Sequence, residues 1–145
     1  MTDPIRLLLA DDQQMVRAGF RLVLDAQPDM TVVGEANTGA EAVTLVDELS
    51  PDVVLMDIRM PILDGLGATE KIMVAHPEAR ILVLTTFDLD EYVHAALRAG
   101  ASGFMLKDAG PTELLAAIRA VRDGDSVVAP SATRRLIERF IPRQG

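Results

Sequence analysis

Residues Val53–Pro61, with the sequence VVLMDIRMP, place four apolar residues directly before a single acid, Asp57. A short run that is apolar at every position is typical of a strand buried on both faces of a parallel sheet. The loops at the carboxyl ends of such strands carry ligands and chemistry. This stretch therefore predicts an α/β fold in which Asp57 lies at the functional edge of the sheet.

Four similar apolar runs surround this stretch, and each is followed by a helical pattern. The five predicted strands are Ile5–Ala10, Thr31–Ala36, Val53–Met56, Arg80–Thr85 and Gly103–Leu106. Strands that alternate with helices imply parallel pairing through right-handed crossovers. We therefore expect a doubly wound, flavodoxin-like sheet of five strands in the order 2-1-3-4-5.

Helix starts are marked by residues that cap or tolerate a first turn. Asp12 is the predicted N-cap of the first helix. Thr38 precedes Glu41 at the spacing of a capping box, and Pro111 occupies a first-turn position where its missing N–H costs little. These signals place five helices between and after the strands.

The composition describes an acidic chain of 145 residues with a net charge of −8 and no cysteine. The length suits one domain, and the charge argues against a general surface for nucleic acid or anionic membrane. Without cysteine there is neither a disulfide framework nor thiol chemistry. The amino terminus is no signal peptide and no run reaches membrane-spanning length, so we expect a cytoplasmic protein.

The last residues differ from the rest in charge. Residues 131–145 contain four arginines and one glutamate, a net charge of +3, which leaves −11 on residues 1–130. We predict one α/β domain over residues 1–124 and a linker over residues 125–145. The linker contains a short amphipathic helix beginning near Ser131. Its arginines either solvate the outer face or contact DNA phosphates. Its apolar face needs a partner, which is the preceding domain, a second protomer or a further domain, and we predict self-association through this helix or the last helix of the preceding domain.

Polar residues follow four of the five predicted strands. They are Asp11, Asp12, Asp57, Thr85 and Lys107. Each alone has a plain interpretation as a helix cap, a β-forming residue or a solvated flank. Because the carboxyl ends of parallel strands share one edge of a sheet, we expect these side chains to converge.

Such a cluster has a definite chemistry. Two carboxylates about 5 Å apart repel by roughly 3 kcal/mol at an effective dielectric near 20, so three of them would raise one another's pKa or demand a cation. Oxygen ligands suit Mg²⁺ or Mn²⁺, and Lys107 can hold a phosphate oxygen. Asp57 is then left as a nucleophile able to form an aspartyl-phosphate.

These motifs resemble the receiver domain of two-component response regulators. The match comprises the acid pair after the first strand, MDIRMP around Asp57, Thr85, and Lys107 in GFMLKD, and it covers Ile5 to about Asp123. The segments LTTFD, ALRAGASGFMLKDAGPTELLAAIR and VVAPSATRRLIERF look like regulators of the NarL/LuxR type. The resemblance implies a CheY-like fold and a DNA-binding helix-turn-helix domain after the receiver. The chain ends at Gly145, where that output domain is expected to begin.

The resemblance also implies roles for individual residues. Asp57 accepts the phosphoryl group and binds the metal, Asp12 is a direct metal ligand, and Asp11 acts through a water on the metal. The backbone carbonyl of Arg59 completes the protein ligands, and Lys107 pairs with the phosphoryl group.

A second set of implied roles concerns switching and phosphate loss. Thr85 is the switch hydroxyl and Phe104 occupies the position of the switch aromatic. Arg59 and Phe87 flank the phosphoryl group, and we expect them to slow its hydrolysis. Many receivers have proline after the lysine, whereas this chain has Asp108.

Three functions are consistent with the sequence. The first is a switch that a sensor histidine kinase phosphorylates with Mg²⁺, that dimerises on phosphorylation, and that reaches DNA only through the output domain. The second is an aspartate-based phosphohydrolase for small molecules, but Arg59 stands where such enzymes have a second aspartate. The third is a phosphorylation-independent dimerisation module. We expect the first, with no enzymatic activity beyond self-phosphorylation and slow dephosphorylation.

Overall fold

A computed structural model describes residues 3–86, 90–125 and 127–128, in which strands and helices alternate along the chain. The elements are β1 (Ile5–Ala10), α1 (Gln14–Asp25), β2 (Met30–Ala36), α2 (Gly39–Leu49), β3 (Val53–Asp57), α3 (Gly65–Ala75), β4 (Ile81–Thr85), α4 (Asp90–Arg98), β5 (Gly103–Leu106), α5 (Pro111–Arg122) and β6 (Val127–Val128). The five predicted strands are therefore present, with bounds that agree to within one residue, and a helix follows each of them.

All strand pairs are parallel, and the sheet order is β2-β1-β3-β4-β5-β6. The predicted order 2-1-3-4-5 is confirmed. The two-residue strand β6 extends the sheet beyond β5, where Val127 pairs with Gly103 and Val128 with Phe104. At the centre of the sheet Asp57 lies beside Leu84, and Ala10 lies beside Met56.

The sheet is covered on both faces because its side chains alternate. Leu8 and Val54 belong to one buried cluster, whereas Leu7 and Val53 belong to the other. Helices α2, α3 and α4 cover the first face, and α1 and α5 cover the second. Each fully buried aliphatic side chain stabilises the fold by about 1.5–3 kcal/mol, so the uniformly buried β3 is a firm base for Asp57.

The helix starts confirm one predicted cap and contradict another. The hydroxyl of Thr38 accepts a hydrogen bond from the Glu41 N–H at 3.1 Å, as the capping-box spacing predicted. The predicted cap at Asp12 is wrong, because α1 begins one residue later and its N-cap is Gln13, without a side-chain cap bond. Asp11 serves that turn instead, since its carboxylate accepts from the Gln13 N–H at 2.9 Å.

Two predictions concern residues that the structure does not describe. The amphipathic helix near Ser131 and the position of Phe87 lie outside the described residues. Within the described part, no helix combines the length and apolar character that a membrane crossing needs. The division at residue 124 stays a prediction.

Candidate functional site

Three carboxylates meet at the carboxyl edge of the central strands. Asp11 and Asp12 follow β1, Asp57 ends β3, and their oxygens lie within 4.8 Å of one another. Asp11 and Asp57 are buried, whereas Asp12 is exposed. The three acids therefore lie together, as their positions after the strands predicted, and Asp12 is the one open to solvent.

Lys107 joins this cluster from the end of β5. Its Nζ lies 2.7 Å from Asp11 Oδ2 and 3.1 Å from Asp57 Oδ1. The backbone N–H of Lys107 donates to the Thr85 carbonyl at 2.7 Å, which fixes the root of the side chain to β4. The peptide that joins Lys107 to Asp108 is trans.

The charges of the cluster do not balance. Burial, the negative charge of Asp11 and, to a smaller extent, that of Asp12 raise the pKa of Asp57, and the nearby ammonium of Lys107 offsets only part of this. Burial by itself lowers the pKa of Lys107, but Asp11 and Asp57 outweigh burial and hold that pKa above its usual range. A divalent cation would supply the missing positive charge, and a set of carboxylate oxygens fits Mg²⁺ or Mn²⁺.

Thr85 and Phe104 are both buried within the sheet region. Thr85 ends β4 with 4% of its surface exposed and pairs with Leu106 in β5. Phe104 is fully buried and pairs with Val83 on one side and Val128 on the other. Their proposed switching roles stay predictions.

The loop between β3 and α3 forms a second wall beside the acids. An open groove of about 490 Å³ lies here, and it is lined by Asp12, Ile58, Arg59, Met60, Pro61, Asp64 and Leu66. Arg59 is exposed at this wall. The predicted metal-binding carbonyl and the predicted phosphate-tuning side chain thus belong to a residue on the rim of the acid cluster.

Two glycines allow this loop to pack closely against neighbouring backbone. The N–H of Gly65 donates to Ile58 O at 2.8 Å, and a Cβ at Gly65 would lie 1.9 Å from the carbonyl oxygen of Asp57. The N–H of Gly39 donates to Leu63 O at 2.9 Å, where a Cβ would lie 2.1 Å from that oxygen. The start of α3 therefore packs directly on the backbone of Asp57.

One charged residue of the site was missed by the sequence interpretation. Arg17 is buried on α1, and its guanidinium contacts both Asp11 and Glu35. It precedes Leu24, the other buried residue of this helix, by seven positions, a spacing that returns to the same helical face. An arginine in phase with the apolar stripe was the signal that could have found it.

A doubly wound parallel sheet with three acids and a lysine at one edge is the arrangement of a receiver domain. In agreement with this, residues 7–119 match the family model described as "Response regulator receiver domain". The chain belongs to this family, which is a family of signalling receivers and not of catalytic enzymes.

The relatives carry the names of regulatory proteins. The chain is 48% identical over 143 residues to the uncharacterized transcriptional regulatory protein YxjL of Bacillus subtilis, covering 98% of this chain and 66% of the relative. It is 41% identical over 142 residues to the oxygen regulatory protein NreC of Staphylococcus carnosus, covering 97% and 65%. The chain thus spans slightly less than two thirds of the length of these curated relatives.

Solved structures agree with the fold. A LuxR-family two-component response regulator from Aurantimonas sp. superimposes with a TM-score of 0.90 at 34% identity, covering 97% of this chain and all of the other. The receiver domain of NarL from Mycobacterium tuberculosis gives 0.82 at 34% identity, covering 85% and 99%. The chain is therefore the receiver part of a NarL/LuxR-type regulator, as its sequence motifs predicted.

Proposed function

We propose that this chain accepts a phosphoryl group on Asp57 from a sensor histidine kinase and thereby controls transcription through a helix-turn-helix domain. The observation that carries the proposal is the contact of Lys107 Nζ with both Asp11 and Asp57 inside a cluster of three carboxylates. Response regulators typically work in the cytoplasm, and we propose the same location for this one.

The transfer itself is a displacement at phosphorus. One carboxylate oxygen of Asp57 forms a bond to phosphorus while the bond from phosphorus to the imidazole nitrogen of the donor breaks, and the electron pair stays on that nitrogen. Such a transfer depends on positioning and charge cancellation. Burial of Asp57 at the end of a rigid strand supports the first requirement, since the carboxylate keeps a fixed direction of approach.

The neighbouring side chains meet the second requirement. Lys107 lies close enough to Asp57 to pair with a phosphoryl oxygen once the acid is modified. Asp12 and Asp57 would hold Mg²⁺ together with the Arg59 carbonyl, and Asp11 would act indirectly. When bound, Mg²⁺ cancels charge on the phosphoryl oxygens and orients them.

Readout is proposed to run through β4 and β5. Thr85 and Phe104 lie on these paired strands, and the hydroxyl of Thr85 would move toward the phosphoryl group. Such a shift changes the population of two conformations of the domain. We propose that it favours a homodimer, and that Arg59 and Phe87 slow the loss of the phosphoryl group.

The proposal is tested by labelling with acetyl phosphate and Mg²⁺, followed by intact mass measurement. We expect the addition of one phosphoryl group, lost in Asp57→Asn and retained in Asp25→Asn, which alters an exposed carboxylate of α1. No labelling of the wild type by any donor would favour a passive dimerisation module, and turnover of small phosphoesters would favour a phosphohydrolase.

The dimer is tested separately by sedimentation velocity over a wide range of concentration, with and without beryllofluoride. We expect beryllofluoride to shift the wild type toward a faster species and to leave Asp57→Asn unchanged. A sedimentation coefficient that stays constant under all conditions would contradict the proposed dimer, but it would leave the phosphoacceptor role intact.

A further inference from the structure

Arg17 binds the backbone of the acid pair rather than its carboxylates. Its Nη1 donates to the carbonyl oxygen of Asp11 at 2.5 Å, and its Nε donates to Glu35 Oε1 at 3.0 Å. The side chain of Arg17 is only 9% exposed. One planar guanidinium therefore connects α1 to the residue that follows β1 and to a residue near the end of β2.

The carbonyl that Arg17 holds belongs to the peptide that joins Asp11 to Asp12. Holding this carbonyl fixes the orientation of the peptide plane, and with it ψ of Asp11 and φ of Asp12, the two torsions that set how the chain leaves β1 through the acid pair. The other polar atoms of Asp11 are also occupied, by the N–H of Gln13, by Lys107, and by Ala36 through the backbone. The bond from Arg17 adds a contact to the carbonyl of Asp11, the atom group that leads directly into Asp12.

We propose that Arg17 is a positioning residue for divalent cation binding, acting through the Asp11–Asp12 peptide. The inference rests on the proposed metal site and assigns to it a residue outside the acid cluster. A lysine could not replace it fully, because an ammonium cannot span two acceptors as the planar fork of arginine does. Partners that orient metal ligands in this way usually matter almost as much as the ligands themselves.

Arg21 offers a matched control in the same network. Its Nη1 contacts Glu35 Oε2 at 2.6 Å, but its side chain is 45% exposed and it forms ion pairs with Glu35 and Asp25. Arg21→Met therefore removes a cation from Glu35 and leaves the bond from Arg17 to the Asp11 carbonyl in place.

The experiment measures Mn²⁺ affinity from the electron paramagnetic resonance signal of free Mn²⁺, which requires no phosphorylation. We expect Arg17→Met to raise the Kd for Mn²⁺ about tenfold. Arg21→Met should stay within about twofold of wild type, because an exposed ion pair contributes little. Urea unfolding without metal checks that each variant folds. If Arg17→Met does not fold, Arg17→Lys replaces it, and its Kd is expected to lie between that of the wild type and the tenfold increase.

A second readout separates positioning from a general loss of structure. In the labelling assay, the Mg²⁺ concentration that gives half the maximal rate should rise by the same factor as the Kd, while the rate at saturating Mg²⁺ changes far less. An Arg17→Met protein that binds Mn²⁺ like wild type overturns the inference, as does Arg21→Met weakening binding equally. If the wild type binds no Mn²⁺, the proposed metal site itself is contradicted, and so is the inference about Arg17.

Discussion

Replacing Gly65 with alanine tests how closely Asp57, the proposed phosphoacceptor, depends on the start of α3. The added Cβ would lie 1.9 Å from the carbonyl oxygen of Asp57 and 2.8 Å from its carbonyl carbon. Both are backbone atoms, so no side-chain rotation relieves the contact. The distance to the oxygen must widen from 1.9 Å to at least 3.0 Å, which moves either the end of β3 or the first turn of α3.

The size of this shift sets the expected effects. A misplacement of about 1 Å at a reacting group can cost about 100-fold in rate, so we expect labelling of Asp57 to slow by that order. Overpacking of this kind typically costs about 1–3 kcal/mol in the free energy of unfolding. In a chain of this size, each kcal/mol lowers Tm by about 2–4 °C.

The assay is the initial rate of acetyl phosphate labelling at saturating Mg²⁺, together with Tm by calorimetry. Gly19→Ala is the matched control, because a Cβ at this exposed position in α1 meets nothing within 4 Å. It should raise the free energy of unfolding by about 0.5–1 kcal/mol through helix propensity and leave the labelling rate unchanged. A Gly65→Ala protein that labels at the wild-type rate would refute the reasoning.

Three further predictions concern stability and titration. Ile62 has a positive φ of 72° and is 87% exposed, so Ile62→Asn should raise the free energy of unfolding by about 1 kcal/mol in urea melts, and a decrease would contradict this. Burial and Asp11 raise the folded pKa of Asp57, so protonation of Asp57 favours the folded state at low pH and this contribution is lost as pH rises through the folded pKa. Asp57→Asn without metal should therefore raise Tm at pH 7, and the gain should be smaller near pH 4. A lower Tm at pH 7 would count against the argument. The hydrogen bond to Asp47 raises the pKa of His76, so the stability from this pair is present below the ordinary histidine pKa and is lost as pH rises through the folded value. NMR titration should show the pKa of His76 falling in Asp47→Asn, and an unchanged value would exclude this cause.

The sequence could predict the acid cluster because parallel strands impose it. Once Val53–Met56 and Ile5–Ala10 are identified as neighbouring buried strands, the residues that follow them must lie at one edge. No such rule assigns the orientation of each acid. The choice of Asp12 as helix cap failed for this reason, since Asp11 rather than Asp12 accepts the N–H of Gln13.

Contacts between segments distant in sequence were beyond the same reasoning. Glu35 lies 18 residues from Arg17, and its pairing depends on how α1 crosses the sheet. The close approach of Gly65 to Asp57 likewise depends on the path of the intervening loop. Local sequence patterns indicate which face of a helix or strand a residue occupies, but they do not identify the residue that it contacts there.

The two edges of the sheet bear on how copies of this domain can meet. An edge strand with free N–H and C=O groups invites another chain to add a strand, and proteins block this with short, irregular or charged edges. Within the described part of the chain β6 has two residues, and β2 combines an irregular register beside Leu8 with the ion pairs of Glu35. Any pairing of protomers should therefore use helical surfaces, and a dimer that continued one sheet into the next would be unexpected.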